Sequence, residues 1–286
     1  MPIVTTENLA KPAEPSKPAL HHSMLAMLSK CGEMTRFRYI EGIRAPPGIA
    51  LLVGTAVHKA AEDDLKNKMA FGTGLPLQAV KERAKEAFVH AWDTEGVALS
   101  DDEKLMGPAV VKGAGIDESV ELSALHSAKI TPIRNPTHVE RKLRLVLDGF
   151  PFDIEGTIDV QEGDDTILDR KTASKSPSGG EAEGNPQLDT YAWMKKVVDG
   201  TPVKRVGLDY LVKTATPKAV TIYAPAPASF ASIVARVERA AMVLQKGAFY
   251  PVDPTGPSGW VCQPKWCGYY DRCAFGAARR KAIPVS

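Results

Sequence analysis

The sequence predicts a mixed α/β fold, that is, an α+β arrangement in which helices pack on a mixed sheet. The run from Phe150 to Val160 alternates apolar and polar residues, with the period of two that is typical of a β-strand. Gly163–Asp165 has turn composition, and residues 166–172 read as a partner strand, so the two runs form a hairpin. The apolar residues before and after this hairpin recur at helical spacing.

The same patterns predict the remaining elements. The first core strand covers residues 137–147 and places alternate residues in one set, namely Val139, Arg141, Leu143, Leu145 and Leu147. A first helical region is expected within residues 23–46. Further helices are expected at about residues 53–69, 77–95, 100–126, 186–198 and 229–246, and further strands at 205–213 and 219–224.

The length and composition favour a single domain. A chain of 286 residues with 44% hydrophobic residues can bury a sizeable core. Residues 1–20 contain four prolines and are expected to form a disordered leader. Residues 21–286 are expected to form the domain, with a helical insertion at about 70–130, a catalytic core at 137–215 and a cysteine segment at 255–276.

Two acids and a lysine lie on the predicted hairpin. Alternation places Asp169 and Lys171 on one face of the second strand, and Asp159 ends the first strand. Paired carboxylates suit Mg²⁺ or Mn²⁺, and the bound metal lowers the pKa of a water molecule. Glu140 and the backbone carbonyl of Arg170 are further candidate ligands. An Asp-x-Lys triplet by itself is also what a solvated strand face contains.

A histidine upstream can complete such a site. The segment that follows Thr55 is helical in composition, and His58 and Glu62 share one helix face. His58 can therefore offer an imidazole to the same metal. The alternative is a packed, hydrogen-bonded histidine.

A helix that begins at Asn185–Pro186 carries two further polar candidates. Gln187 and Tyr191 lie one turn apart on one face. An amide and a phenol at this place can hold a phosphate or a base. The alternative is a polar helix start followed by a core tyrosine.

Four cysteines are divided between the two ends of the chain: Cys31, Cys262, Cys267 and Cys273. The low cysteine content, together with no visible signal peptide or transmembrane segment, argues against a disulfide framework. Four thiolates can instead hold a metal ion or a cluster. Free buried thiols are the remaining interpretation.

In this order and spacing, the motifs resemble the RecB-like branch of the PD-(D/E)XK nuclease superfamily over about residues 23–275. They are Gly54-x-x-x-His58, Gly156-x-Ile158-Asp159, Asp169-x-Lys171 and Gln187-x-x-x-Tyr191. The resemblance implies a restriction-endonuclease-like αβββαβ core with a helical insertion. It also implies that His58, Asp159 and Asp169 bind the catalytic metal, that Asp159, Asp169 and Lys171 are catalytic, and that Gln187 and Tyr191 bind DNA.

The cysteines add to the resemblance. Some RecB-like nucleases carry an iron–sulfur cluster held by one cysteine before the nuclease core and three after it. The resemblance therefore implies a [4Fe–4S] cluster held by Cys31, Cys262, Cys267 and Cys273. The first C-terminal pair is more widely spaced here than is usual in that family, which keeps Zn²⁺ open as the alternative.

The predicted activity is metal-dependent hydrolysis of DNA by an exonuclease in recombination, repair or phage DNA metabolism. The net charge of only +2 places DNA affinity in a local groove rather than in the whole surface. The alternatives are a CRISPR-associated spacer-processing nuclease and a nuclease-fold DNA-binding subunit. With no Walker-type loop, the chain is expected to have no motor of its own. A helicase or a single-strand annealing protein is a candidate partner, an oligomer is possible, and the expected location is the cytoplasm of a bacterium or phage-infected host.

Overall fold

The computed structural model describes residues 17–147, 150 and 152–276, and over them the chain has the mixed α/β fold that the sequence predicts. The helices are α1 (His22–Lys30), α2 (Gly32–Thr35), α3 (Ile49–Phe71), α4 (Leu77–Glu95), α5 (Asp101–Met106), α6 (Pro108–Lys129), α7 (Pro186–Asp199) and α8 (Ala231–Lys246). The strands are β1 (Ala19–His21), β2 (His138–Leu145), β3 (Asp153–Glu162), β4 (Thr166–Ala173), β5 (Arg205–Val212) and β6 (Lys218–Pro225). The succession α3–β2–β3–β4–α7–β5 is the predicted αβββαβ order.

The strands described form one mixed sheet in the order β1-β3-β4-β5-β6, with β2 paired to β3. β2 and β3 are antiparallel, as are β3 and β4, whereas β4 and β5 run parallel. β3 and β4 pair only over residues 160–162 and 166–168, next to their turn. Beyond that point the two strands separate, and β1 pairs with β3 at residues 153–155. The sheet therefore opens a cleft between β3 and β4.

β1 corrects the predicted boundary of the leader. Leu20 is 1% exposed and packs in the main core, and Lys17 Nζ donates to the carbonyl oxygen of Leu147 at 3.1 Å. Burial of the Leu20 side chain explains why residues that were predicted to be part of a disordered leader are ordered. The rest of that prediction, residues 1–16, lies outside the described residues, as do residues 277–286.

The alternation predicted for β2 is wrong at one residue. Leu143 and Leu145 pack with α7 and α8, but Val139 packs with Leu65 of α3 on the other side of the sheet. Between them Glu140 has φ +53°, a left-handed conformation that costs a non-glycine residue on the order of 1–2 kcal/mol. This residue inverts the alternation, so Val139 and Leu143 face opposite sides.

Helices α4 to α6, within the segment predicted as a helical insertion, form a three-helix unit that packs on α3. Its contact with α3 is built from Leu52, Val53, Phe88, Ala91 and Leu122. Gly115 of α6 permits the closest approach, because a Cβ there would lie 2.3 Å from Cζ of Phe88. Across the described part of the chain, no helix is both long and apolar enough to cross a membrane.

Candidate active site

Three side chains that can bind a metal converge where β3 and β4 separate. The potential ligand atoms of His58, Glu140 and Asp159 all lie within 4.8 Å of one another. His58 comes from α3, Glu140 from β2 and Asp159 from β3. One imidazole and two carboxylates form a donor set that suits a divalent cation. The sequence predicted His58 and Asp159 for this role and gave Glu140 as a further candidate.

The backbone of Arg170 fixes two of these side chains. Its N–H donates to Asp159 Oδ2 at 2.8 Å, and its carbonyl oxygen lies 2.9 Å from His58 Nε2. The other ring nitrogen, His58 Nδ1, lies 3.4 Å from Asp159 Oδ2. The carbonyl group of Arg170, which the sequence suggested as a metal ligand, therefore lies next to the group of His58, Glu140 and Asp159.

The sequence did not predict the role of the Arg170 side chain at this site. It is 1% exposed, its guanidinium forms an ion pair with Glu140, and its Nε lies 3.6 Å from Asp159 Oδ2. This cation offsets the repulsion between the carboxylates of Glu140 and Asp159. Its place as the middle residue of the Asp-x-Lys triplet was the only signal for this role.

Asp169 and Lys171 belong to a second, adjoining network. Asp169 Oδ2 lies 2.5 Å from Lys171 Nζ. Gln187 joins both of them: its Nε2 donates to Asp169 Oδ1 at 2.7 Å, and its Oε1 accepts from Lys171 Nζ at 2.8 Å. The same Nε2 donates to the Tyr191 hydroxyl at 3.1 Å. Gln187 thus holds the predicted catalytic pair, a contact that the sequence did not indicate.

Two local features place the helix α7 that carries Gln187. The Asn185 side chain accepts from the backbone N–H groups of Gln187 and Leu188, which caps the helix. At Gly156 of β3 a Cβ would lie 2.7 Å from Cε1 of Tyr191, so only glycine lets the ring approach the strand this closely. This packing accounts for the glycine of the Gly156-x-Ile158-Asp159 motif.

The electrostatics of the site disfavour the ionisation of further carboxyl groups beside Asp159. Burial, and then the charge of Asp159, raise the pKa of Asp169 to about 7. Burial and Asp159 likewise raise the pKa of Glu140 to about 7. Burial lowers the pKa of His58, although Asp159 opposes this. A bound divalent cation would reverse these carboxyl shifts, since its charge stabilises both carboxylates.

The four cysteines come together in a separate pocket. All four are buried and line one small cavity of ≈ 10 Å³. The Val252 N–H donates to Cys31 Sγ at 3.4 Å, which joins the N-terminal helix to the C-terminal segment. Burial and the neighbouring thiols raise the pKa of Cys267 to about 11. Phe37 and Tyr269 stack beside them at 5.3 Å. The fold thus brings four thiol groups to one apolar pocket.

A comparison with protein families identifies the class to which this fold belongs. The model of the PD-(D/E)XK nuclease superfamily matches residues 20–274, and the chain therefore belongs to that superfamily. 

The chain is also similar to solved structures, and the first of these shows the same fold. A predicted exonuclease from Eubacterium rectale has a TM-score of 0.52 at 12% identity, over 85% of each chain. The structure described as SSO0001 has a TM-score of 0.38 at 14% identity, over 94% of this chain and 90% of that one. No curated protein matches the chain significantly.

Proposed function

We propose that the protein is a Mg²⁺- or Mn²⁺-dependent DNA exonuclease of the RecB-like branch. The observation that supports this best is the convergence of His58, Glu140 and Asp159 beside the Asp169–Lys171 pair, at the point where the sheet opens. Hydrolysis of a phosphodiester needs these parts together: a metal site, and a cation beside the attacking water.

Each residue has a distinct task in this proposal. His58, Glu140 and Asp159 would hold the metal, with Asp169 in its ionised form as a further ligand. When bound, the metal supplies a water of lowered pKa and neutralises charge on the phosphate. Lys171 lies against Asp169 and positions the attacking water. Gln187 and Tyr191 keep the lysine and the acid in place, and Gln187 can also reach the DNA strand.

We propose further that the four cysteines hold a [4Fe–4S] cluster, with Zn²⁺ as the alternative. Their role is structural, because Cys31 lies at the end of α1 and the other three lie in the C-terminal segment. Anaerobic purification followed by iron, sulfide and zinc analysis separates the two. Cys273→Ser should remove the visible absorbance and lower the melting temperature by about 5 °C or more. A colourless wild type that contains neither iron nor zinc contradicts both assignments.

The activity is tested by digestion of end-labelled linear DNA and of closed circular DNA, single- and double-stranded, with Mg²⁺, Mn²⁺ or a chelator. We expect metal-dependent release of nucleotides from linear DNA, no cutting of circles, and no activity in Lys171→Ala. The matched control is Lys218→Ala, an exposed lysine at the start of β6. Binding without cleavage by the wild type would instead identify a DNA-binding subunit.

The recombination setting is also a proposal. A neighbouring gene for an annealing protein supports phage-type recombination, whereas a neighbouring gene for an integrase-type spacer-acquisition protein supports the CRISPR-associated alternative.

A further inference from the structure

A large cavity adjoins the candidate active site on the side of Gln187 and Tyr191. Its volume is ≈ 730 Å³, and its other walls are the start of α1, the β2 strand and the first half of β3. Gln187 thus contacts both the Asp169–Lys171 pair and this cavity. A group that binds in the cavity lies next to the catalytic pair.

The cavity has an uncompensated positive wall. Lys142 is exposed on it and forms no ion pair with any residue that the structure describes. Its cross-strand partner on β3 is Thr157, which offers a hydroxyl group. The acid on this wall, Glu155, is already paired with Arg144 and lies 3.9 Å from His21. The net charge left facing a ligand is therefore that of Lys142.

The charged groups near His22 are also positive. Burial, and then the charges of Lys171 and Arg236, lower the pKa of His22 to about 4. Lys171 and Arg236 therefore lie near His22, which lines the cavity, and the neutral imidazole of His22 can still donate or accept a hydrogen bond.

The junction of β1 and α1 borders the cavity. β1 pairs with β3 at residues 153–155, on the edge that β4 has left, and the chain turns directly into α1. His21 and His22, at this junction, line the cavity. A DNA strand that passes Asp159 along β3 meets this junction after a short distance. Thr157 precedes Asp159 by two residues, roughly 7 Å of strand, which is on the order of one nucleotide.

We propose that this cavity binds the terminal nucleotide of the DNA strand that is cut, and that Lys142 and Thr157 contact a phosphate monoester at its end. The proposal rests on the proposed nuclease function and adds the form of its substrate. A lysine ammonium and a hydroxyl are suitable donors to a doubly charged terminal phosphate. A site that holds the end of the strand next to the catalytic pair fixes the distance of the cut from that end.

The test compares the first cleavage of linear DNA that carries a 5′-phosphate, a 3′-phosphate or only hydroxyl ends. Single-turnover rates and equilibrium binding without divalent metal are measured for the wild type, Lys142→Gln and Lys142→Arg. The matched control is Lys218→Gln, and thermal melting verifies that each variant is folded. For one of the two phosphorylated ends, we expect the wild type to bind and cut about tenfold better than hydroxyl ends. Lys142→Gln should lose this preference, and Lys142→Arg should keep most of it.

Every outcome decides the proposal. If the wild type does not distinguish phosphorylated from hydroxyl ends, or if Lys142→Gln retains the preference, the cavity is not an end-binding site. If Lys142→Gln weakens all ends equally, Lys142 is a general backbone contact and the proposal is wrong. Failure of the nuclease function would appear separately, as an inactive wild type, and the metal-free binding measurements would still test the cavity.

Discussion

Asp159 and Asp169 occupy the first position in the register of β3 and β4 at which the strands are no longer paired. The last paired residues are Val160 and Leu168, directly next to them. Separation of the strands opens space around both carboxylates, and the paired turn keeps the two residues close together. The same opening admits His58 from α3 and Gln187 from α7. The candidate site therefore depends on the place at which this hairpin stops pairing.

Glu140 should contribute to metal affinity. Because it lies within the His58–Asp159 ligand group, Glu140→Gln should weaken Mn²⁺ binding by at least about tenfold. Isothermal titration calorimetry measures the change. Glu62→Gln is the control, since Glu62 lines the same side of the site but is paired with Lys59 and Lys66. Equal losses in the two variants would show a general charge effect instead of ligation.

Metal binding should release protons below neutral pH. The carboxyls of Asp169 and Glu140 have pKa values raised to about 7, so at pH 6 they are largely protonated in the metal-free protein. Divalent cations bind the ionised forms, and affinity should therefore fall as the pH is lowered from 7 to 5.5. Burial lowers the pKa of His58, which reduces the share of this change that comes from its imidazole. Calorimetry in buffers of different ionisation enthalpy counts the protons. A pH-independent affinity over this range contradicts the assignment.

Gln187 should act through Lys171 and Asp169 more than through DNA affinity. Gln187→Ala removes both hydrogen bonds that hold this pair and should lower kcat by about 10- to 100-fold with little change in KM. Tyr191→Phe is the matched comparison, because the Tyr191 hydroxyl contacts only Gln187 in this network, and its effect should be smaller. A large rise in KM with unchanged kcat in Gln187→Ala would favour the DNA-binding role that the resemblance implied.

The insertion should be sensitive to one methyl group. Gly115→Ala places a Cβ 2.3 Å from the Phe88 ring and should lower the free energy of unfolding by about 1–3 kcal/mol. Gly113→Ala in the same helix meets nothing within 4 Å and should raise it by up to about 1 kcal/mol. Chemical denaturation measures both. Equal effects of the two substitutions would contradict the close packing of α4 against α6.

The sequence predicts those parts of the fold that depend on local pattern. The hairpin and the helix that begins at Asn185 follow from alternation, turn composition and capping. The three-residue strand β1 could not be predicted, because its pairing with β3 spans more than 130 residues and its only local signal is Leu20. The left-handed conformation of Glu140 is a tertiary effect, since the surrounding packing holds a backbone that glutamate does not favour.

For the site, the sequence could indicate which residues take part, but not which side chains contact each other. The spacing of Asp169 and Lys171 indicates that they share a face. The hydrogen bonds from Gln187 to both, and the buried guanidinium of Arg170 beside Glu140, depend on side-chain positions that a linear pattern does not encode.

The most direct test of the proposed active site is the single-turnover rate of DNA cleavage with Mn²⁺ for Asp159→Asn and Lys171→Ala, beside the wild type and Lys218→Ala. Asp159 is a proposed metal ligand and Lys171 the proposed cation beside the attacking water, so each loss should reduce the rate by about a thousandfold or more. Lys218→Ala should cleave at the wild-type rate. Cleavage within about tenfold of wild type by either active-site variant, with its fold intact, would show that DNA is cut elsewhere or by another mechanism.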